Sequence, residues 1–284
     1  MNSRLIILAF FLCSVACSFA QKGFKPDTSF YYKNTAQGKL VMDVFIPPNH
    51  QVTDKSPVII FFFGGGWVSG LPDQFYQQAR YFSENGMVAI SADYRTFNKH
   101  KTTPFECVSD AKSAIRWVRQ HAGELGINTQ KIIASGGSAG GHIAACSGIL
   151  EGYESEGENL TISSVPNAMI LFNPVIDTGE KGYGIAKVGL EHKADISPVA
   201  HIKPGIPPTI IFHGTADKTV PFENVERFTR LMKEAGNTCE LKSFPGKDHG
   251  FFNGSFFRPK QSDEDFNATM KAAMVFLTKL HLDK

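Results

Sequence analysis

The chain has 284 residues, 42% of them hydrophobic and 20% charged, with a formal net charge of +2. That composition belongs to a globular protein with a sizeable core rather than to a charge-rich disordered chain. No run of five like charges occurs, so neither nucleic acid nor an anionic membrane surface is expected as a partner.

Residues 1–20 read as a secretory signal: Arg4 precedes the apolar run 5–12, and small residues lead to Ala20 just before Gln21. The run is shorter than the roughly 18 residues of a membrane span, and no later apolar run is longer. Export to the periplasm or the medium is therefore expected, with no stable membrane span. Ser14-Val15-Ala16-Cys17 also resembles a bacterial lipoprotein site, although its first position is polar where Leu is usual, and lipidation at Cys17 ranks second. Cleavage after Ala20 leaves a single domain, residues 21–284, with Cys107, Cys146 and Cys239. An odd number of cysteines allows at most one bridge and excludes a disulfide scaffold.

Residues 29–32 and 40–46 are short β-type runs around the turn-rich stretch 34–38, a hairpin pattern. Residues 58–63, Val-Ile-Ile-Phe-Phe-Phe, form an unbroken apolar run of the kind found in a strand buried on both faces. Helix-like 73–84, strand-like 87–91, helix-like 105–121 and strand-like 131–135 then alternate, and another helix begins near Ser138. This is the rhythm of a parallel sheet with helices on its faces. In the 105–121 helix, Val108, Ala111, Ile115 and Val118 share one stripe for packing on the sheet, and Asp110, Lys112, Arg116 and Arg119 take other faces. Strand-like 168–172, 209–212 and 239–244 follow, with helices at 222–234 and 264–280. Residues 177–208 hold too many glycines and prolines for a sheet layer and are read as a small lid insertion over the active-site end.

Gly136-Gly137-Ser138-Ala139-Gly140 matches G-x-S-x-G between a strand and an apolar helix. Small flanking residues permit the strained turn that presents a serine hydroxyl to the site. A phosphate cradle would need the Lys-Ser/Thr of a P-loop or a dinucleotide fingerprint, and neither is present. Ser138 is the candidate nucleophile.

Gly64-Gly65-Gly66-Trp67 after a buried strand, Asp93-Tyr94-Arg95 after the next, and the serine turn together resemble the acetyl esterase and hormone-sensitive-lipase-like branch of the α/β-hydrolases. The resemblance runs from about Val58 to His249. It implies an α/β-hydrolase fold, a mostly parallel central sheet flanked by helices. It also implies an oxyanion hole built from the backbone N–H groups of Gly65, Gly66 and Ala139. Only glycine lets a backbone approach a developing oxyanion so closely. The family usually has a histidine before the glycine triplet, and this sequence has Phe63, a departure that bears on the hydrogen bond which normally braces the loop but not on the backbone donors themselves.

His249, in Lys247-Asp248-His249-Gly250-Phe251-Phe252, stands where the family places its base. Asp217 follows the 209–212 strand and completes the chain order Ser, acid, His of the hydrolase fold. Asp248 and Asp177 are alternative acids. His213 is read as a strand-end packing residue and His142 as a helix residue. No zinc-type Cys/His spacing and no His-Glu-x-x-His helix is present, so neither a metal nor a cofactor is expected.

The reading is thus a serine carboxylesterase for a small-molecule or carbohydrate ester, short acyl groups and above all acetyl being favoured because no amino-terminal cap is read. Trp67 and Phe251 are expected to bind substrate. Gly250-Phe251-Phe252 also resembles the peptidase branch, which makes an acylaminoacyl or dipeptidyl peptidase the nearest rival. A binding protein on the same scaffold is a further one, although such proteins tend to lose a triad member.

Overall fold

The computed structural model describes residues 24–284, so the leader read in residues 1–20 and Cys17 lie outside the described residues. The alternating runs at the start form the hairpin β1 (Thr28–Thr35) and β2 (Gly38–Phe45), turning at Ala36-Gln37. The apolar run becomes β3 (Ser56–Phe62), buried from Pro57 onward. Next come α1 (Tyr76–Glu84), β4 (Val88–Ala92), the single turn α2 (Phe97–His100), α3 (Pro104–Gln120) and the short α4 (Ala122–Leu125). β5 (Ile127–Gly137) leads directly into α5 (Ala139–Ile149). The second half holds β6 (Ala168–Phe172), the short α6 (Ile185–Val188), β7 (Thr209–Gly214), α7 (Phe222–Glu234), β8 (Cys239–Phe244) and α8 (Glu264–Lys279).

Among the described residues the strands form one eight-stranded sheet in the order β1-β2-β4-β3-β5-β6-β7-β8. Only the β1/β2 and β2/β4 pairs are antiparallel; the other five pairs are parallel. The chain goes from β3 outward to β4 on one side and returns to β5 on the other, so strand order reverses between β3 and β5. In open α/β sheets the crevice at the carboxyl ends of such strands is where ligands bind. Here the two segments leaving those ends are the Gly64-Gly65-Gly66 loop and the serine turn.

α3 begins one residue earlier than the apolar stripe predicts. Pro104 occupies its first turn, and Thr103 and Glu106 close a reciprocal capping box ahead of it. Its charged faces also differ from the sequence expectation, because Asp110, Lys112 and Arg116 are all buried. The segment after α5 covers the two cations, Glu154 accepting from Lys112 Nζ at 2.7 Å and from Arg116 Nη2 at 2.6 Å, while Asp110 takes Arg95 Nη2, from the loop after β4, at 2.8 Å. α5 is buried on every face except at Gly148, as an apolar helix held between sheet and helix must be.

Residues 177–208 carry only α6 and two short 3-10 turns, Leu190–His192 and Pro198–His201. The segment is tied down by backbone bonds from Tyr183 N to Asp177 O at 2.9 Å and from Val199 N to Ile176 O at 2.9 Å. Among the described residues no helix is long and apolar enough to cross a membrane.

Candidate active site

Ser138 sits between β5 and α5 with φ 55° and ψ −118°, a conformation that an L-residue keeps only when its surroundings impose it. The flanking glycines explain how. A Cβ on Gly140 would overlap the carbonyl oxygens of Phe62 and Phe63, and one on Gly136 would meet Phe62 O and Gly140 itself. The turn therefore rides directly on the end of β3, and any side chain at either position would lift it away. Ser138 N donates to Phe172 O at 2.9 Å, which ties the turn to β6 as well.

His249, on the loop after β8, brings Nε2 to 2.9 Å from Ser138 Oγ and Nδ1 to 2.7 Å from Asp217 Oδ2. The three side chains leave the carboxyl ends of three different parallel strands, so the sheet itself fixes their separation. Asp217 is further held by the N–H groups of Thr219 and Val220, which donate to Oδ1 at 2.8 and 2.9 Å. His213 Nε2 lies 3.2 Å from Asp217 Oδ2 and 3.0 Å from Val220 O, and its buried Nδ1 has no partner among the described residues. Burial works to raise the Asp217 carboxyl, but hydrogen bonds from His213, His249 and the Val220 N–H outweigh it and hold the group well below the usual carboxylate range.

The two alternative acids are elsewhere. Asp177 takes Arg227 Nη2 at 2.6 Å and the Gly179 N–H at 2.8 Å. Asp248 is exposed and caps the Gly250 N–H at 3.0 Å.

The glycine loop turns with φ 126° at Gly65 and 61° at Gly66, values that suit glycine. Among the described residues neither N–H has a protein acceptor. Ala139 opens α5, so its N–H has no helical partner either. All three are thus free to donate to an oxygen held above Ser138.

Phe63 does not brace this loop by a side-chain hydrogen bond; its ring stacks on Tyr94 with centroids 4.1 Å apart. The bracing comes from two residues that sequence reasoning missed or left unassigned. Gln74 Oε1 accepts the Gly64 N–H at 2.6 Å, and Tyr94 Oη donates to Phe63 O at 2.8 Å. Asn173, also missed, holds the His249 loop instead, since its amide donates to the His249 carbonyl. None of these has a local sequence signal, because each partner lies at least ten residues away.

Phe251 parts from its expected place, and Trp67 lies away from the cavity over Ser138. A cavity of about 230 Å³ opens over Ser138, lined in part by Gly65, Gly66, Tyr183, His249, Phe252 and Arg258. Phe251 is buried against Phe244, ring centroids 4.5 Å apart, and its neighbour Phe252 faces the cavity instead. The two neighbours sit in the turn closed by Asn253 N on Gly250 O at 3.2 Å and send their rings to different sides, which is why a motif names the pair more readily than the member. Trp67 is buried beyond Gly66, where it lines an adjoining cavity, and its indole N–H donates to His142 Nδ1 at 3.3 Å. His142 Nε2 in turn lies 2.7 Å from Ile196 O, so this helix residue joins the glycine loop to the 177–208 segment. Burial lowers the His142 imidazole to about 4, and it stays neutral as the bond from Trp67 requires. Among the described residues no group of three or more His, Cys, Asp or Glu side chains could hold a metal ion.

Residues 42–232 match the BD-FAE family. The chain belongs to that family. Among solved structures, apo esterase 2 of Thermogutta terrifontis is similar at a TM-score of 0.85 and 46% identity, over 90% of this chain and 95% of that one. A probable isoprenylcysteine alpha-carbonyl methylesterase of Arabidopsis thaliana is 29% identical over 231 residues, 73% of this chain and 48% of its own length. An acetylxylan esterase of Xylanibacter ruminicola is 28% identical over 237 residues, 78% of this chain and 45% of its own. The BD-FAE chain thus spans about half the length of these curated relatives. Its α/β-hydrolase fold is the one these esterases share.

Proposed function

We propose that this protein hydrolyses short-chain acyl esters, acetyl esters foremost, with Ser138 as nucleophile, His249 as base and Asp217 as the acid that orients it. The observation that carries this reading is the unbroken line from Asp217 Oδ2 through His249 to Ser138 Oγ, at 2.7 and 2.9 Å, opening into a cavity of only about 230 Å³.

Ser138 Oγ attacks the ester carbonyl carbon as His249 Nε2 takes its proton, and the carbonyl oxygen, now negative, accepts from the N–H groups of Gly65, Gly66 and Ala139. Collapse breaks the C–O bond to the alcohol, which leaves with the proton from His249. Water then attacks the acyl-enzyme, gives its proton to His249, and the acid departs as that proton returns to Oγ. Asp217 stays ionised throughout and holds the Nδ1–H tautomer that leaves Nε2 free to accept.

Two relatives support the choice of acyl group. Thermogutta terrifontis esterase 2 has been solved with propionate and with butyrate bound, and the Xylanibacter ruminicola relative is named an acetylxylan esterase. A sugar hydroxyl is accordingly the proposed alcohol, with action outside the cytoplasm after removal of residues 1–20.

The test is hydrolysis of p-nitrophenyl acetate and octanoate by the chain from Gln21 onward, beside Ser138→Ala, with a fluorophosphonate probe as a second readout. Acetate should be favoured, and the variant should lose at least about 10⁴-fold in rate together with covalent labelling. A variant that matches the wild type would remove Ser138 from the mechanism, and undiminished octanoate turnover would remove the short-acyl preference.

A further inference from the structure

The cavity over Ser138 has a larger neighbour. A second cavity of about 440 Å³ lies beyond the glycine loop, lined by Gly66, Trp67, Val68, Phe97, Pro104 and Lys187 among others. Gly66 is the one residue that lines both. Tyr183 belongs to the lining of the smaller cavity and Lys187 to that of the larger. Their polar ends meet, Lys187 Nζ lying 3.0 Å from Tyr183 Oη. The meeting point is at Gly66 itself, since a Cβ placed there would stand 2.8 Å from both atoms. The ammonium has no carboxylate partner among the described residues; it rests instead 4.8 Å from the Tyr183 ring centroid and 5.8 Å from that of Trp67.

We propose that the cavity beyond Gly66 is a pocket for the aliphatic chain of longer acyl groups, and that the Tyr183–Lys187 contact is the gate that keeps it closed to the catalytic cleft. This rests on the ester-hydrolase reading of Ser138. The acyl side, not the alcohol side, is assigned by the chemistry of the reaction. The leaving alcohol departs on the His249 side, because His249 hands it the proton. The acyl chain leaves the carbonyl carbon on the side away from the departing alcohol, and the cavity beyond Gly66 is the one to whose wall no residue of the His249 loop contributes.

The lining fits an aliphatic chain. Trp67, Val68, Phe97, Pro104 and Ala186 supply apolar surface, no acidic residue lines the cavity, and methylene groups gain free energy as they leave water for such a surface. The gate fits its task too. Lys187 is exposed and stands on the four-residue α6, a long side chain that swings out without disturbing the core, whereas the Trp67 wall behind it is fixed by His142. Tyr183 and Lys187 are thereby specificity-determining residues for acyl length.

The experiment compares the octanoate-to-acetate ratio of kcat/KM, using p-nitrophenyl esters, in the wild type, Tyr183→Ala, Lys187→Ala and the double variant Lys187→Ala with Ala186→Trp. Opening the gate should raise the ratio at least about tenfold in both single variants. Filling the pocket with the indole that Ala186→Trp introduces should then return it toward the wild-type value. An unchanged ratio in active Tyr183→Ala and Lys187→Ala proteins overturns the gate. A raised ratio that the Ala186→Trp change fails to reverse overturns the pocket. A wild type that already favours octanoate instead sinks the short-acyl reading, and Ala186→Trp alone then decides the pocket by whether octanoate turnover falls.

Discussion

Asp217 receives donors on both of its oxygens. Oδ1 takes two backbone N–H groups and Oδ2 faces His249 Nδ1 and His213 Nε2. An asparagine in its place presents an amide NH₂ either to the backbone donors or to the histidines, and a donor then faces a donor in each orientation. Asp217→Asn should keep KM and lower kcat by about 10⁴-fold, the scale set by losing the imidazole tautomer. Asp177→Asn and Asp248→Asn should stay near the wild-type rate, because neither carboxylate touches His249. Steady-state kinetics on the three variants checks this, and a slow Asp248→Asn beside an active Asp217→Asn would move the acid to residue 248. The downward displacement of the Asp217 carboxyl also means that its charge survives below the usual carboxylate range, so protonation of this group does not limit activity in mildly acid solution. The roles proposed for Ser138, Asp217 and His249 were legible in the sequence because each follows a strand in a fixed chain order. Gln74, Asn173 and His142 were not, since what they do depends on partners that only the fold brings near.

Among the elements, α5 shows how burial converts an ordinary residue into a joint. His142 lies one turn after Ser138, accepts from the Trp67 indole and reaches Ile196 O, so one imidazole connects the glycine loop, the serine helix and the 177–208 segment. Its folded value of about 4 lies below the ordinary 6.5. A group depressed in this way contributes stability that is fully present above pH 6.5 and is lost as pH falls toward 4. Unfolding free energy at pH 5 should therefore be lower than at pH 7.5 by about 2 kcal/mol from this group alone. His142→Gln, which cannot titrate, should show a correspondingly smaller drop, and urea unfolding of both proteins at the two pH values measures it. Equal drops would mean that His142 is not held neutral by the fold. Asp217 does not blur the comparison, because its contribution is lost only in more acid solution. The same dependence on distant partners explains where the sequence misleads about α3. Its charged faces look solvated, yet Glu154 arrives from about forty residues away to pair with Lys112 and Arg116, and buried cations are tolerated only when so paired. Periodicity predicts which stripe meets the sheet; it carries no information on what covers the remainder.

For the whole molecule, the three cysteines of the described chain report on three separate places. Cys107 lies on α3, Cys146 on α5 and Cys239 on β8, all buried and all free. Burial pushes the Cys107 and Cys146 thiols well above the ordinary range and that of Cys239 to about 11, so the reactive thiolate is scarce as well as inaccessible. The odd number seen in the sequence allowed one bridge, and the structure leaves all three unbridged. A single sheet with its helices on both faces should open as one unit. In the chain from Gln21 onward, none of the three should react with an excess of a thiol reagent in native buffer, and all three should become reactive across one urea transition. That transition should share its midpoint with the loss of far-ultraviolet circular dichroism. Adding a reductant should leave the midpoint unchanged, since no bridge contributes to it. Early release of Cys239 alone would show that the β8 edge, which carries the His249 loop, opens before the rest. That would make His249 the first of the three proposed catalytic residues to be displaced on mild denaturation, and activity would then fall ahead of the structural transition.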